Sequence, residues 1–247
     1  MMQRVKIKLS LVLFTIVFAY FNLLNTYLYI ILFISIHELG HIIMAKLMKV
    51  EIKEVCLHGY GFSAKIEELD YVNIYKEFII SIAGVLFQVI NIVILHYCIE
   101  YNVISMNYYD YLFRINMSIA IVNLLPIIPL DGGRILRSII HLLFRYKLSE
   151  RILIIISVFN LIILYKLEYM NNLIGLIFIG LMLINNIIRY MSITNNYMNF
   201  LFYRYNNKIR SFIRYNEKEE LYRNGVNLIN VDNSYMSEEK YLKNIFK

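Results

Sequence analysis

The chain has 247 residues, 59% of them hydrophobic and only 17% charged, with a formal net charge of +7. Soluble domains run nearer one half apolar and one quarter charged, so this composition excludes an ordinary soluble domain and points to a polytopic membrane protein. Its two cysteines, Cys56 and Cys98, form no C-x-x-C pair and exclude a disulfide framework.

Residues 1–8 carry Arg4, Lys6 and Lys8 and lead into an apolar run over 9–24. No small-x-small cleavage site follows, so the run reads as a retained first span. A second span is expected over about 27–48, close to the ~20 residues that a helix needs to cross the hydrocarbon core. Strand-like residues at 52–57 and 62–66, separated by His58-Gly59-Tyr60-Gly61, predict a small β-hairpin. Further spans are expected over about 78–99, 111–128, 152–167 and 173–188. Residues 134–151 read as a basic connection and 192–247 as a polar tail. The predicted fold is therefore all-α and polytopic, six transmembrane helices with the hairpin between the second and third.

Six spans place residues 1–8, 46–76, 134–151 and 189–247 on one side, and those stretches hold 23 of the 25 Lys and Arg. The positive-inside rule then puts both termini on the cytosolic side. The same asymmetry explains the basic charge without any nucleic-acid partner; the partner it implies is the lipid bilayer.

Within the second span lies His37-Glu38-Leu39-Gly40-His41, an H-E-x-x-H pattern. Residues i and i+4 share one face of a helix, so two imidazoles can grip one Zn²⁺ while the adjacent carboxylate reaches its water. Ionisable side chains inside a membrane are costly and mark function. Catalytic zinc takes three protein ligands. Alone, Asp131 reads as a helix-end aspartate near Arg134; beside the H-E-x-x-H pattern it reads as the third ligand. Gly132 and Gly133 let the backbone come close, and Pro126 and Pro129 break regular helix. Glu38 is the expected general base and then acid. Asn123 is either an oxyanion donor or an interhelical hydrogen bonder. His58 reads as a solvated turn residue, His96 as structural near the far interface, and His141 as part of the basic connection.

The pairing of His37-Glu38-Leu39-Gly40-His41 with Asn123-x-x-Pro126-x-x-Pro129-Leu130-Asp131-Gly132-Gly133 resembles the site-2 proteases, the intramembrane zinc metalloproteases of peptidase family M50. The resemblance covers roughly residues 1–190 and is greatest to the stage IV sporulation protein FB branch, which cuts a membrane-associated pro-sigma factor during spore formation. It implies one zinc per chain on His37, His41 and Asp131, with Glu38 catalytic. It further implies a hairpin that receives extended substrate, with Tyr60 or else Phe62 as an aromatic gate, and inhibitory membrane proteins in a membrane surrounding the forespore. Two departures stand out. Gly84-Val85 replaces the Gly-Pro of many relatives, and residues 192–247 lack the β-α-β pattern of a complete CBS domain, so nucleotide regulation is not carried over. The competing readings are a protease acting on another anchored regulator such as an anti-sigma factor, and a non-proteolytic metal-binding membrane protein such as a transporter or an adaptor. A transporter would show repeats and several intramembrane acids, which the chain lacks.

Overall fold

The computed structural model describes residues 5–58, 61–66, 71, 73–167, 172–207, 212–216, 220–231 and 234–246. The protein is mostly helical and divides into two compact units, one of Met1–Leu69 with Ile79–Leu124, the other of Asp70–Phe78 with Leu125–Lys247.

The first unit opens with a short strand β1 (Val5–Ile7), then helices α1 (Leu9–Tyr20) and α2 (Leu24–Leu47). Asn22, at φ 55°, makes the tight turn between them, a left-handed conformation that asparagine adopts more readily than most residues. Strands β2 (Ile52–His58) and β3 (Gly61–Ile66) follow, then α3 (Ile74–Glu100), whose first turn belongs to the other unit, and α4 (Met106–Leu124). Strand β2 pairs antiparallel with β3 and parallel with β1, Val5 lying opposite Val55. Residues 5–7 of the N-terminal stretch thus form an edge of this sheet. The core of the unit is shared by α2, α3 and α4 through Phe33, Leu95 and Leu112. Helices α2 and α3 approach closely at Gly40: a Cβ there would lie 2.6 Å from the carbonyl oxygen of Ala83.

The second unit contains α5 (Asp131–Leu143), α6 (Tyr146–Lys166), α7 (Leu173–Met191) and α8 (Ile193–Asn206). A three-stranded sheet follows, β4 (Ile213–Asn216), β5 (Val226–Val231) and β6 (Ser234–Ser237), and α9 (Glu238–Ile245) ends the described chain. Strand β4 runs parallel to β5, and β5 antiparallel to β6. The polar tail is therefore folded. Tyr146, Tyr197, Phe200, Leu221, Ile229 and Leu242 give it a core that includes the start of α6.

Among the described residues, four helices are long and apolar enough to cross a membrane: α2, α3, α6 and the continuous Leu173–Asn206 stretch of α7 and α8. Their outward faces are apolar, with Val89, Ile90 and Val93 exposed on α3 and Ile155, Phe159 and Ile162 on α6. Buried polar residues face the opposite way: Ser81, Gln88, Asn91, Ser157 and Asn186 are all enclosed. Lipid makes this arrangement stable, because apolar side chains lose nothing by facing it and polar ones must find partners inside.

Two expected boundaries move. The helix expected to run to 128 stops at Leu124, because Pro126 removes an amide donor and restricts the residue before it. Asp131, expected at the end of that span, is the first residue of α5. The expected basic connection is largely α5 itself, and several of its polar side chains are buried. Arg137 donates to Glu77 (2.9 Å) and to Glu150 (2.7 Å), and Arg189 also donates to Glu150 (2.9 Å). Arg223 pairs with the second Glu77 oxygen. His141, expected only as part of the basic connection, is fully buried, with Nε2 3.0 Å from Glu150 Oε1. Burial, followed by the neighbouring Arg137 and Arg223 charges, lowers the His141 pKa to about 4 although Glu150 pulls it up. Arg137, Arg189 and Arg223 were counted as topological charges; they are committed to internal ion pairs.

Candidate metal centre

The two histidines of the H-E-x-x-H pattern lie one turn apart on α2, both buried. Their Nε2 atoms face one another at 3.1 Å. The rings meet edge to face, with centroids 4.7 Å apart. His41 Nδ1 lies 2.7 Å from the carbonyl oxygen of Ile80 on α3. A carbonyl can only accept, so Nδ1 carries the proton and Nε2 keeps its lone pair for a metal. Glu38, half-buried, joins them: one ligand atom from each of His37, Glu38 and His41 falls within 4.8 Å of the others.

This geometry fits a zinc-like cation. Two nitrogens held about 2.0–2.1 Å from one tetrahedral ion stand roughly 3.3 Å apart, close to the separation found here. The wall opposite the imidazoles is Gly84 of α3. A Cβ at that position would sit 2.5 Å from His41 Nε2 and 2.7 Å from His37 Nε2, so only glycine leaves the two nitrogens room. Gly84 and the Ile80 carbonyl were missed as site elements in the sequence reading. The Ala83-Gly84 pair in an apolar span was the available signal, a place where two backbones approach.

The remaining predicted residues fall as follows. Asn123 stands in the last turn of α4 in the first unit, half-buried. Asp131 begins α5 in the second unit, buried, where the helix N-terminus favours a negative charge. Tyr60 lies outside the described residues. His58 ends β2, and His96 is exposed on α3. Cys56 and Cys98 are both thiols.

Comparison with known proteins agrees with the motifs. Residues 88–167 match peptidase family M50. The particular relatives are a zinc metalloprotease of Methanocaldococcus jannaschii, 31% identical over 60% of this chain and 46% of that protein, and the stage IV sporulation protein FB of Bacillus subtilis, 36% identical over 43% of this chain and 37% of that protein. The chain thus spans less than half the length of these curated relatives. Among solved structures, the site-2 protease from Methanocaldococcus jannaschii aligns with a TM-score of 0.48 and 27% identity, covering 78% of this chain and 89% of that one.

Proposed function

We propose that this chain is an intramembrane zinc metalloendopeptidase that hydrolyses a membrane-associated protein near the cytosolic face. The observation that carries the reading is the facing pair of His37 and His41 Nε2 atoms at 3.1 Å, walled by a glycine and flanked by a carboxylate. His37 and His41 would hold one zinc ion, with Asp131 as third ligand. Bound there, zinc would polarise the attacking water and lower its pKa toward about 7.

The chain's own residues perform the rest. Glu38 removes a proton from the attacking water as its oxygen bonds to the scissile carbonyl carbon. The same carboxyl then delivers that proton to the departing amine as the C–N bond breaks. Asn123 donates a hydrogen bond to the developing oxyanion. An extended substrate segment adds as a strand at the outer edge of β3, with Tyr60 as gate. The edge itself favours that mode, because among the described residues β3 pairs with β2 alone, whereas β2 is paired on both sides.

The layout is six spans with both termini on the cytosolic side, α1 and α4 joining the four longer helices; α1, a twelve-residue helix that is apolar apart from Ser10 and Thr15, supports this. The substrate is a pro-sigma factor processed during sporulation, a reading supported by similarity to the sporulation protein. Inhibitory membrane proteins in a membrane surrounding the forespore restrain the cleavage.

Co-expression with a candidate membrane-anchored substrate tests the mechanism. Glu38→Gln should keep zinc and lose cleavage by at least about 10²-fold, the size of a general acid–base contribution. Cleavage at the wild-type rate would overturn the assignment.

A further inference from the structure

On α3, Ser81, Gly84, Gln88 and Asn91 follow at steps of three and four residues and therefore share one face. Gly84 touches the histidine pair, as described. Gln88, one turn further on, is 0% exposed, and neither its Oε1 nor its Nε2 has a hydrogen-bond partner among the described residues. The same holds for Asn91 Nδ2 and for Asn116 Oδ1 on α4. Asn116 is fixed against this place because its Nδ2 donates to the Gln88 carbonyl at 3.0 Å. That bond also settles which of its amide atoms is the oxygen.

Leaving a buried amide unpaired costs about 1–3 kcal/mol, and lipid offers no relief in a membrane span. An apolar side chain would pack there at no such cost. The orphaned amide atoms comprise two acceptors, Gln88 Oε1 and Asn116 Oδ1, and two donors, Gln88 Nε2 and Asn91 Nδ2. A water molecule presents the complementary set, and buried waters make about three hydrogen bonds to such groups. Four residues along a helix amount to about 6 Å, so this cluster lies a single turn from the residue that walls the imidazoles.

We propose that Gln88, Asn91 and Asn116 form an internal water-binding site beside the His37–His41 pair. A further part of the proposal rests on the hydrolase reading: the site stores the co-substrate, water, within the lipid-embedded part of the protein, and Gln88 is a positioning residue for it. The water site itself does not depend on that reading.

Radiolytic hydroxyl-radical footprinting of the full chain in lipid nanodiscs tests the site without reference to activity. Bound internal water generates radicals in place, so Leu95, one turn past Asn91, and Leu112, one turn before Asn116, should be oxidised although both are buried. Gln88→Met should reduce that oxidation to the level of Ile154 and Ile179, which are about as enclosed elsewhere. Asn91→Leu should do the same and covers the case in which Gln88→Met fails to fold. Oxidation of Leu95 and Leu112 that is absent in the wild type, or unchanged in both variants, would overturn the site. For the hydrolytic role, Gln88→Met should retain zinc and lose roughly three- to tenfold in cleavage, the worth of one net hydrogen bond. Unchanged cleavage would overturn that role, whereas failure of Glu38→Gln to abolish cleavage would strike the hydrolase reading and leave the footprint unaffected.

Discussion

Two groups of buried ionisable side chains lie in this protein, and they are built in opposite ways. In the second unit, Glu77, Arg137, Glu150, Arg189 and Arg223 interlock so that each carboxylate receives more than one guanidinium, and His141 adds its ring to Glu150. In the first unit, His37 and His41 point their Nε2 atoms at each other across 3.1 Å with a carboxylate alongside. The first arrangement satisfies its charges internally. The second brings two imidazole nitrogens and a carboxylate within 4.8 Å of one another, a set that could hold one metal ion. Burial alone does not mark a functional site; what separates the two is whether acids are matched with bases or ligand atoms are gathered about one point.

The largest effect that would sharpen the contrast is expected from Glu150→Ala. It leaves Arg137 with Glu77 and takes the Glu150 carboxylate from Arg189 and His141, and losing one partner of a buried ion pair costs about 3–5 kcal/mol. Thermal unfolding in detergent should show that loss, while zinc content per folded chain stays at the wild-type value. A parallel loss of zinc would mean that the network is not purely structural.

Titration of His141 comes next. Its pKa in the fold is lowered to about 4 from 6.5, so the unfolded chain binds a proton first as pH falls. The stability it contributes is complete above pH 6.5 and is lost progressively down to about pH 4, roughly 3 kcal/mol in all. His141→Asn should flatten the pH dependence of unfolding over that window, measured as the difference from wild type. An unchanged slope would contradict the assignment.

A smaller effect on folding but a sharp one on the metal is expected from Gly84→Ala. The new methyl group would fall 2.5 Å from His41 Nε2, so helix or ring must shift. Misplacing a metal ligand in this way costs about 10- to 100-fold in affinity, readable by competition with a zinc chelator. Undiminished affinity would show that the imidazoles have room to spare.

The histidine pair was legible in the sequence because its geometry is local: four residues on one helix suffice to bring two rings together. The pairing of β2 with β3 could be read from short runs on either side of glycines for the same reason. The ion network was not, because its members are drawn from positions 77, 137, 141, 150, 189 and 223, and no local pattern ties them. Read alone, Arg137 and Arg223 look like ordinary surface charge. The end of α4 was misjudged because the hydrophobic run continues to Ile128, whereas Pro126 ends the helix at Leu124. The tail's sheet escaped notice because β4 and β6 are only four residues each, too short to show alternation.

X-ray absorption at the zinc edge on the purified chain tests the central claim most directly. One zinc per chain is predicted, with two imidazole nitrogens at about 2.0–2.1 Å and oxygen in the remaining positions, the nitrogen signal collapsing in His41→Ala. A chain that takes up no zinc, or one whose zinc has sulfur neighbours and survives His41→Ala, would contradict it.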